Sequence, residues 1–133
     1  MAQFATELFV QCVYGLELSY HELLEKEAEL KLTMTAILEQ GGGEFIHFEE
    51  MGDTMRVQCM FVEYGEHIFH PLCESMAPLM DGHVEARLLF VSKDLDFLHI
   101  YTISKKRWQE SCLHLPAPGP LTKALRDQDP PSR

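Results

Sequence analysis

The spacing of the apolar residues changes several times along the chain, and this restricts the fold to a mixture of helices and strands. In residues 4–16 the apolar side chains recur as adjacent pairs every four residues, which predicts an amphipathic helix that ends near Gly15. Leu8, Val10 and Cys12 also alternate with polar neighbours. A strand is therefore the competing interpretation of this first segment.

The next segment also has two interpretations. Ser19 and Glu22 have the spacing of a capping box, which predicts a second helix that begins near Tyr20. Alternating apolar and polar residues further on predict that this helix is short and that a strand begins near Glu29. Continuous helix over residues 19–39 is the alternative, because Leu, Glu and Lys favour helices.

The remaining elements are separated by glycine-containing breaks, two of which have hairpin length. Helical spacing returns once, and Pro71 is tolerable there only in the first turn. We predict α+β: N-terminal helices, then a largely antiparallel sheet of five to six strands with one central helix, in the order α-βββ-α-ββ(β). The later elements are predicted as strands 44–50 and 54–62, helix 66–80, and strands 84–92, 97–104 and 107–115.

The length of 133 residues is typical of one domain. We assign residues 1–115 to a single α+β domain. Five of the seven prolines fall in residues 116–133, which predicts a flexible tail that cannot continue a sheet. This tail is expected to be dispensable for folding.

The charge of the chain is strongly acidic, with a formal net charge of −10. This argues against nonspecific binding to nucleic acid, because Lys and Arg supply most phosphate affinity. It suits a basic protein partner. We expect neither a secretory signal nor a membrane span, and the four cysteines show no disulfide-like or CxxC spacing, so they are predicted to be reduced, buried thiols in the cytoplasm.

One group of residues has the composition of a metal site. His67, His70 and Glu74 have the spacing i, i+3 and i+7, which places them on one face of the predicted helix. Imidazole and carboxylate suit a divalent transition metal such as zinc. A solvated polar face is the interpretation we favour, so no cofactor is expected.

Two charged groups are candidate partner-binding surfaces. The first is acidic and lies on the predicted second helix or at its exit; the second is a basic and aromatic cluster in an otherwise acidic chain. The alternative for the second is an edge strand protected by positive charge, with the tryptophan partly packed. The residues are Glu22, Glu25 and Glu29 in the first group, and Lys105, Lys106, Arg107 and Trp108 in the second.

No reactive motif fixes a function, so an enzyme is not expected. His99 lies in a predicted strand, where one imidazole is typical of a structural residue. Residues 97–103 carry apolar side chains on both strand faces, which predicts a homodimer that covers the second face.

These patterns predict a non-catalytic protein-binding module, acting as a small acidic chaperone, adaptor or inhibitor. In size, acidity and predicted element order the chain is similar to small acidic type III secretion chaperones, and this resemblance implies a protein partner. The alternative is a metal- or small-ligand-binding domain, with enzymatic activity or without it, that uses the His67/His70/Glu74 helix face.

Overall fold

A strand, rather than a helix, is the first element of the chain. The computed structural model describes residues 3–63 and 65–114, and they form one six-stranded antiparallel sheet with two α-helices. The α+β class is therefore confirmed. The elements are β1 (Thr6–Tyr14), α1 (Tyr20–Gln40), β2 (Glu44–Glu50), β3 (Thr54–Phe61), α2 (Glu66–Met76), a 3-10 helix (Ala77–Leu79), β4 (Val84–Ser92), β5 (Phe97–Ser104) and β6 (Arg107–His114).

The predicted N-terminal helix is wrong, because residues 4–16 contain the central strand β1. Leu8 and Cys12 face the helices and are fully buried, whereas Phe9 and Val13 point to the other side of the sheet. Apolar residues on both faces of one strand produce adjacent apolar pairs, which resemble a helical stripe. The predicted order α-βββ-α-ββ(β) is therefore wrong at the N-terminal end. The resemblance to the secretion chaperones used this predicted order, so the element order no longer supports it.

The predicted strand near Glu29 is also wrong, because α1 is one continuous helix. Leu30 and Met34 are fully buried, whereas Leu32 is 77% exposed, so burial follows the helical period. The predicted capping box at its start is confirmed: Glu22 N donates to Ser19 Oγ over 3.2 Å, and Ser19 N donates to Glu22 Oε1 over 2.9 Å.

The strands lie in the order β2-β3-β1-β4-β5-β6, with every neighbouring pair antiparallel. The first four strands and the two helices form the β-α-β-β-α-β arrangement called ferredoxin-like. The β4-β5 and β5-β6 hairpins extend it at one edge. The strands predicted in the second half of the chain are confirmed as far as His114; residues 116–133 lie outside the described residues.

Helix α2 contains a proline beyond its first turn. Pro71 is the sixth residue of α2, so the expectation that it is tolerable only in the first turn is wrong. Proline has no N–H to donate to the carbonyl of His67, one turn earlier. Packing offsets this loss, because Phe69, Leu72 and Cys73 on the same helix are buried in the core.

Both helices lie on the same face of the sheet, and the core lies between the helices and the sheet. Phe69 of α2 stacks on Phe90 of β4 with ring centroids 4.1 Å apart. Tyr14 of β1 donates a hydrogen bond to Glu27 of α1 over 3.3 Å. Neither helix lies on the opposite side, which we call the open face.

Candidate functional site

Polar and aromatic side chains from α2, β5 and β6 meet at the edge of the sheet. We call this group the α2–β6 cleft. Its strand residues lie opposite each other in the β5-β6 ladder, where Tyr101 pairs with Glu110 and His99 pairs with Cys112. The cleft consists of Glu66, His70 and Glu74 of α2, His99 and Tyr101 of β5, and Trp108, Glu110 and Cys112 of β6.

Glu110 is the centre of the hydrogen bonds in the α2–β6 cleft. Its Oε2 accepts a hydrogen bond from the Tyr101 hydroxyl over 2.6 Å and lies 3.2 Å from His70 Nε2. The hydrogen bond from Tyr101, together with that from His70, lowers the pKa of Glu110 from its ordinary value. The carboxylate is therefore held ionised and in one position by groups from two elements.

Trp108 closes one side of the α2–β6 cleft. Its ring packs against His70 and Tyr101, with centroids 5.0 and 5.7 Å away. Its Nε1 donates a hydrogen bond to Glu74 Oε1 over 3.1 Å. The predicted partly packed tryptophan thus has contacts within the chain that restrict its use as a free binding surface.

Cys112 and His99 form the outer end of the α2–β6 cleft. The Cys112 Sγ lies 3.2 Å from His99 Nδ1, and that nitrogen lies 3.8 Å from Glu110 Oε2. Desolvation, and then the Glu110 carboxylate, raise the pKa of the Cys112 thiol. Without a cation beside it, this thiol therefore keeps its proton at neutral pH.

A cavity of about 380 Å³ adjoins the cleft and shares His99 and Glu66 with it. Phe69, Phe90 and Phe97 supply apolar walls. The cavity also contacts Thr6, which is 2% exposed and whose Oγ1 has no hydrogen-bond partner within the described residues. The cavity combines these aromatic walls with polar lining residues such as Ser92, Lys93 and Asp94, which is typical of small-ligand sites.

The three predicted metal ligands do not come together. His70 Nε2 belongs to the cleft, but His67 Nε2 lies 3.7 Å from Glu63 Oε1, and Glu74 accepts from Trp108. Within residues 3–63 and 65–114, groups with ligand atoms inside 4.8 Å of one another are His99/Glu110/Cys112 and Glu66/His70/Glu110. Metal binding by His67, His70 and Glu74 stays a prediction.

The predicted basic cluster lies at the β5-β6 turn. Lys105 and Lys106 form the two turn residues, both with positive φ, of 52° and 64°. Lys106 N donates a backbone hydrogen bond to Met80 O over 2.8 Å, which ties the turn to the chain after α2. Arg107 is exposed at the start of β6.

The predicted acidic cluster lies along α1 and is exposed. Glu22 takes part in the capping box. Glu25 Oε1 lies 3.6 Å from His21 Nε2, and Glu29 Oε1 lies 3.5 Å from Lys26 Nζ. Each of these acids thus has a partner on its own helix, and their role in binding another protein stays a prediction.

The open face carries an apolar row that polar and charged residues border. Phe9, Leu89 and Ile100 are directly adjacent across β1, β4 and β5. They line a depression of about 480 Å³, which Arg56 and Arg87 also border. Met60, Val91 and Leu98 extend the same side.

Sequence reasoning did not identify Glu110 and Cys112 as site residues, and it interpreted His99 as structural. Alternation places residues 110 and 112 on one side of a strand, and a two-residue turn at Lys105-Lys106 sets which β5 residues they face. That register was the available signal. The expectation of four buried thiols is wrong for Cys112, which is exposed; Cys12, Cys59 and Cys73 are buried.

No protein-family model matches this sequence, and no curated protein matches it either. Within the part of the chain that the structure describes, neither α1 nor α2 combines the length and apolarity needed to cross a membrane.

Proposed function

We propose that this chain is a non-catalytic protein-binding module that forms a homodimer through the open face of its sheet. The observation that carries the proposal is the apolar row of Phe9, Leu89 and Ile100, which neither α1 nor α2 covers. Apolar surface of this kind on a sheet is stabilised when another layer covers it.

The area of the open face suits a stable dimer. Six strands about 4.8 Å apart span roughly 24 Å, and eight residues of strand span about 27 Å. The face therefore offers roughly 650 Å² per copy, so two copies bury about 1,300 Å². Stable protein interfaces bury about 1,200–2,000 Å² in total.

The open face carries both positive and negative side chains. Arg56 and Arg87 lie on either side of Gln11 in neighbouring strands. Acidic residues lie near the same rows, with Glu49 opposite Arg56 and Glu85 opposite Val13. A face that carries both signs of charge beside an apolar row is compatible with an isologous contact between two copies, which supports a second copy as the occupant.

The acidic surface of α1 would remain outside this interface. Glu25 and Glu29 project from the helix layer, on the side opposite the open face. A dimer would present two such surfaces, which suits a basic protein partner and steers its association. A cytoplasmic location, expected from the cysteine pattern, is part of this proposal, as is a role as chaperone, adaptor or inhibitor.

Sedimentation of the full chain tests the dimer. The wild type should be dimeric at micromolar concentration, and Leu89→Glu should weaken dimerisation at least about 30-fold, because a charge at an interface centre costs about 2 kcal/mol or more. Leu32→Glu is the matched control, since Leu32 is 77% exposed on α1. A monomeric wild type, or a dimer indifferent to Leu89→Glu, would contradict the proposal.

The α2–β6 cleft favours a second candidate function, a metal- or small-ligand-binding domain. Thr6, Glu66 and His99 line this cavity beside its aromatic walls, which supports a ligand with polar groups there. Ligand-dependent stabilisation that Thr6→Val abolishes, in a chain that stays monomeric, would favour this second function over the first.

A further inference from the structure

Three side chains at the outer end of the α2–β6 cleft have the composition of a transition-metal site. They are the imidazole of His99, the carboxylate of Glu110 and the thiol of Cys112, whose ligand atoms all lie within 4.8 Å of one another. Thiolate and imidazole ligands favour zinc-like ions over magnesium or calcium, which prefer oxygen. The group thus offers one nitrogen, one oxygen and one sulfur ligand atom, unlike a surface cluster made of carboxylates alone.

The backbone holds these three residues together. His99 and Cys112 are a directly opposed pair in the β5-β6 ladder, and Glu110 lies two residues before Cys112 on the same side of β6. Strand pairing thus fixes the backbone positions of all three residues relative to one another. The site is therefore built into the sheet rather than assembled from mobile segments.

The distances between the ligand atoms fit a small tetrahedral ion. Zinc binds nitrogen at about 2.0–2.1 Å, oxygen at about 2.0–2.2 Å and thiolate sulfur at about 2.3 Å, so tetrahedral ligands lie roughly 3.3–3.6 Å apart. Here Cys112 Sγ and His99 Nδ1 are 3.2 Å apart, and His99 Nδ1 and Glu110 Oε2 are 3.8 Å apart. Movements of a few tenths of an ångström would bring these two separations into the required range, and the third pair, Cys112 Sγ and the Glu110 carboxylate, lies within 4.8 Å.

Outer residues orient the ligands. Tyr101 donates to Glu110 Oε2 over 2.6 Å, and His70 Nε2 lies 3.2 Å from the same oxygen. The His99 ring lies against Phe69, with centroids 4.9 Å apart. Such outer-shell contacts fix ligand orientation in metal sites. Cys112 is exposed, so an ion can reach the site from solvent.

We propose that His99, Glu110 and Cys112 bind a divalent transition ion of the zinc class, with Tyr101 and His70 positioning the carboxylate. Binding forms one metal–sulfur bond, and the Cys112 proton is released to solvent. Three protein ligands leave one position for water or an anion. The proposal does not depend on the open face, because His99, Glu110 and Cys112 lie on the side of the sheet that α2 covers.

Titration of the reduced, untagged full chain with Zn²⁺ and Co²⁺ tests the site. We expect one ion per chain, with thiolate-to-cobalt charge-transfer absorption in the Co²⁺ form. His99→Asn and Cys112→Ser should each weaken Zn²⁺ binding at least about 100-fold, and Tyr101→Phe about 10-fold, as outer-shell changes do. Cys112→Ser should also abolish the charge-transfer band.

His67→Asn is the matched control, because His67 is an exposed histidine of α2 outside the cleft. It should leave Zn²⁺ affinity unchanged. Absence of stoichiometric binding, or binding that survives Cys112→Ser, would overturn the proposal. Loss of binding in His67→Asn that equals the loss in His99→Asn would instead favour the His67/His70/Glu74 face. Circular dichroism of each variant without metal identifies a variant that fails to fold, and Cys112→Ala then replaces Cys112→Ser.

Discussion

Tyr101 and Glu110 face each other across the β5-β6 ladder, and the Tyr101 hydroxyl donates a hydrogen bond to Glu110 Oε2 over 2.6 Å. Burial, and then this bond to the carboxylate, raise the pKa of Tyr101, while the same bond lowers the pKa of Glu110. One contact thus keeps the phenol protonated and the carboxylate ionised. It also fixes the centre of the α2–β6 cleft.

Tyr101→Phe should destabilise the fold by about 1.5–3 kcal/mol at neutral pH, because it removes a hydrogen bond to a charged group. The pKa of Glu110 is lower in the folded chain than in the unfolded chain. The ionised Glu110 therefore stabilises the fold above its unfolded-state pKa, and this stabilisation is lost as the pH falls through its folded-state pKa. The difference between variant and wild type should therefore shrink in acid. Urea unfolding at neutral and acidic pH measures it, with exposed Tyr20→Phe as the control. A difference independent of pH would contradict this account.

Glu27→Gln should stabilise the chain at neutral pH. Glu27 is 6% exposed, and its desolvation, followed by the charge of Glu50, raises its pKa. A raised folded-state pKa means that Glu27 supports the fold below the unfolded-state pKa, and that this support is lost as the pH rises through the folded-state pKa. Glutamine keeps an acceptor for the Tyr14 hydroxyl and avoids the buried charge.

The expected gain in unfolding free energy for Glu27→Gln at pH 7 is on the order of 1 kcal/mol, the scale on which burying an uncompensated polar group destabilises a protein, and it should vanish in acid. Exposed Glu25→Gln on the same helix is the control and should change stability by less than about 0.5 kcal/mol. A loss of stability in Glu27→Gln at pH 7 would show that the ionised carboxylate is favourably held.

The Lys105→Asn, Lys106→Gly double variant should stabilise the chain by about 1 kcal/mol or more, because both turn residues have positive φ, which Asn and Gly adopt at lower cost. Glycine keeps the N–H that donates to Met80 O. Thermal unfolding measures the gain. Lys93→Gly is the control, since Lys93 is an exposed lysine outside the positive-φ residues, and it should not stabilise. An unchanged or lower melting temperature in the double variant would contradict the assignment of strain.

Ser19→Ala should destabilise the chain by about 1 kcal/mol, because it removes the side-chain acceptor of the capping box at the start of α1. Ser75→Ala, an exposed change within α2, is the control and should cost nothing measurable. Equal stability of the two variants in urea unfolding would show that the N-cap contributes little.

Short-range sequence patterns predicted the elements that have one apolar face and one polar face. The start of α1 was predictable because Ser19 and Glu22 use contacts only three residues apart. Strand β1 was not, since tertiary packing places Phe9 on the open face and Leu8 in the core, and both are apolar. In α1, Leu32 completes an alternating apolar pattern, yet its side chain is exposed to solvent. The alternation arose by chance, and it led to the wrong prediction of a strand in a segment that is helical.

The candidate site was harder to predict because its ligands come from different elements. His70 was identified from the spacing on α2, but its cleft partner Glu110 lies 40 positions further along the chain. Their meeting depends on α2 packing over β5 and β6, which no local spacing reveals. His99 and Cys112 depend on the hairpin register, which becomes readable once the two-residue turn is known.

Intermolecular nuclear Overhauser effects test the central proposal most directly. In a sample mixing isotopically labelled and unlabelled full chains, we expect contacts between copies from the methyl groups of Leu89, Leu98 and Ile100 on the open face. The methyl groups of Leu32, which lies on α1, should show none. Intermolecular contacts that are absent from the open face, or that arise from Leu32 instead, would contradict a homodimer built on this side of the sheet.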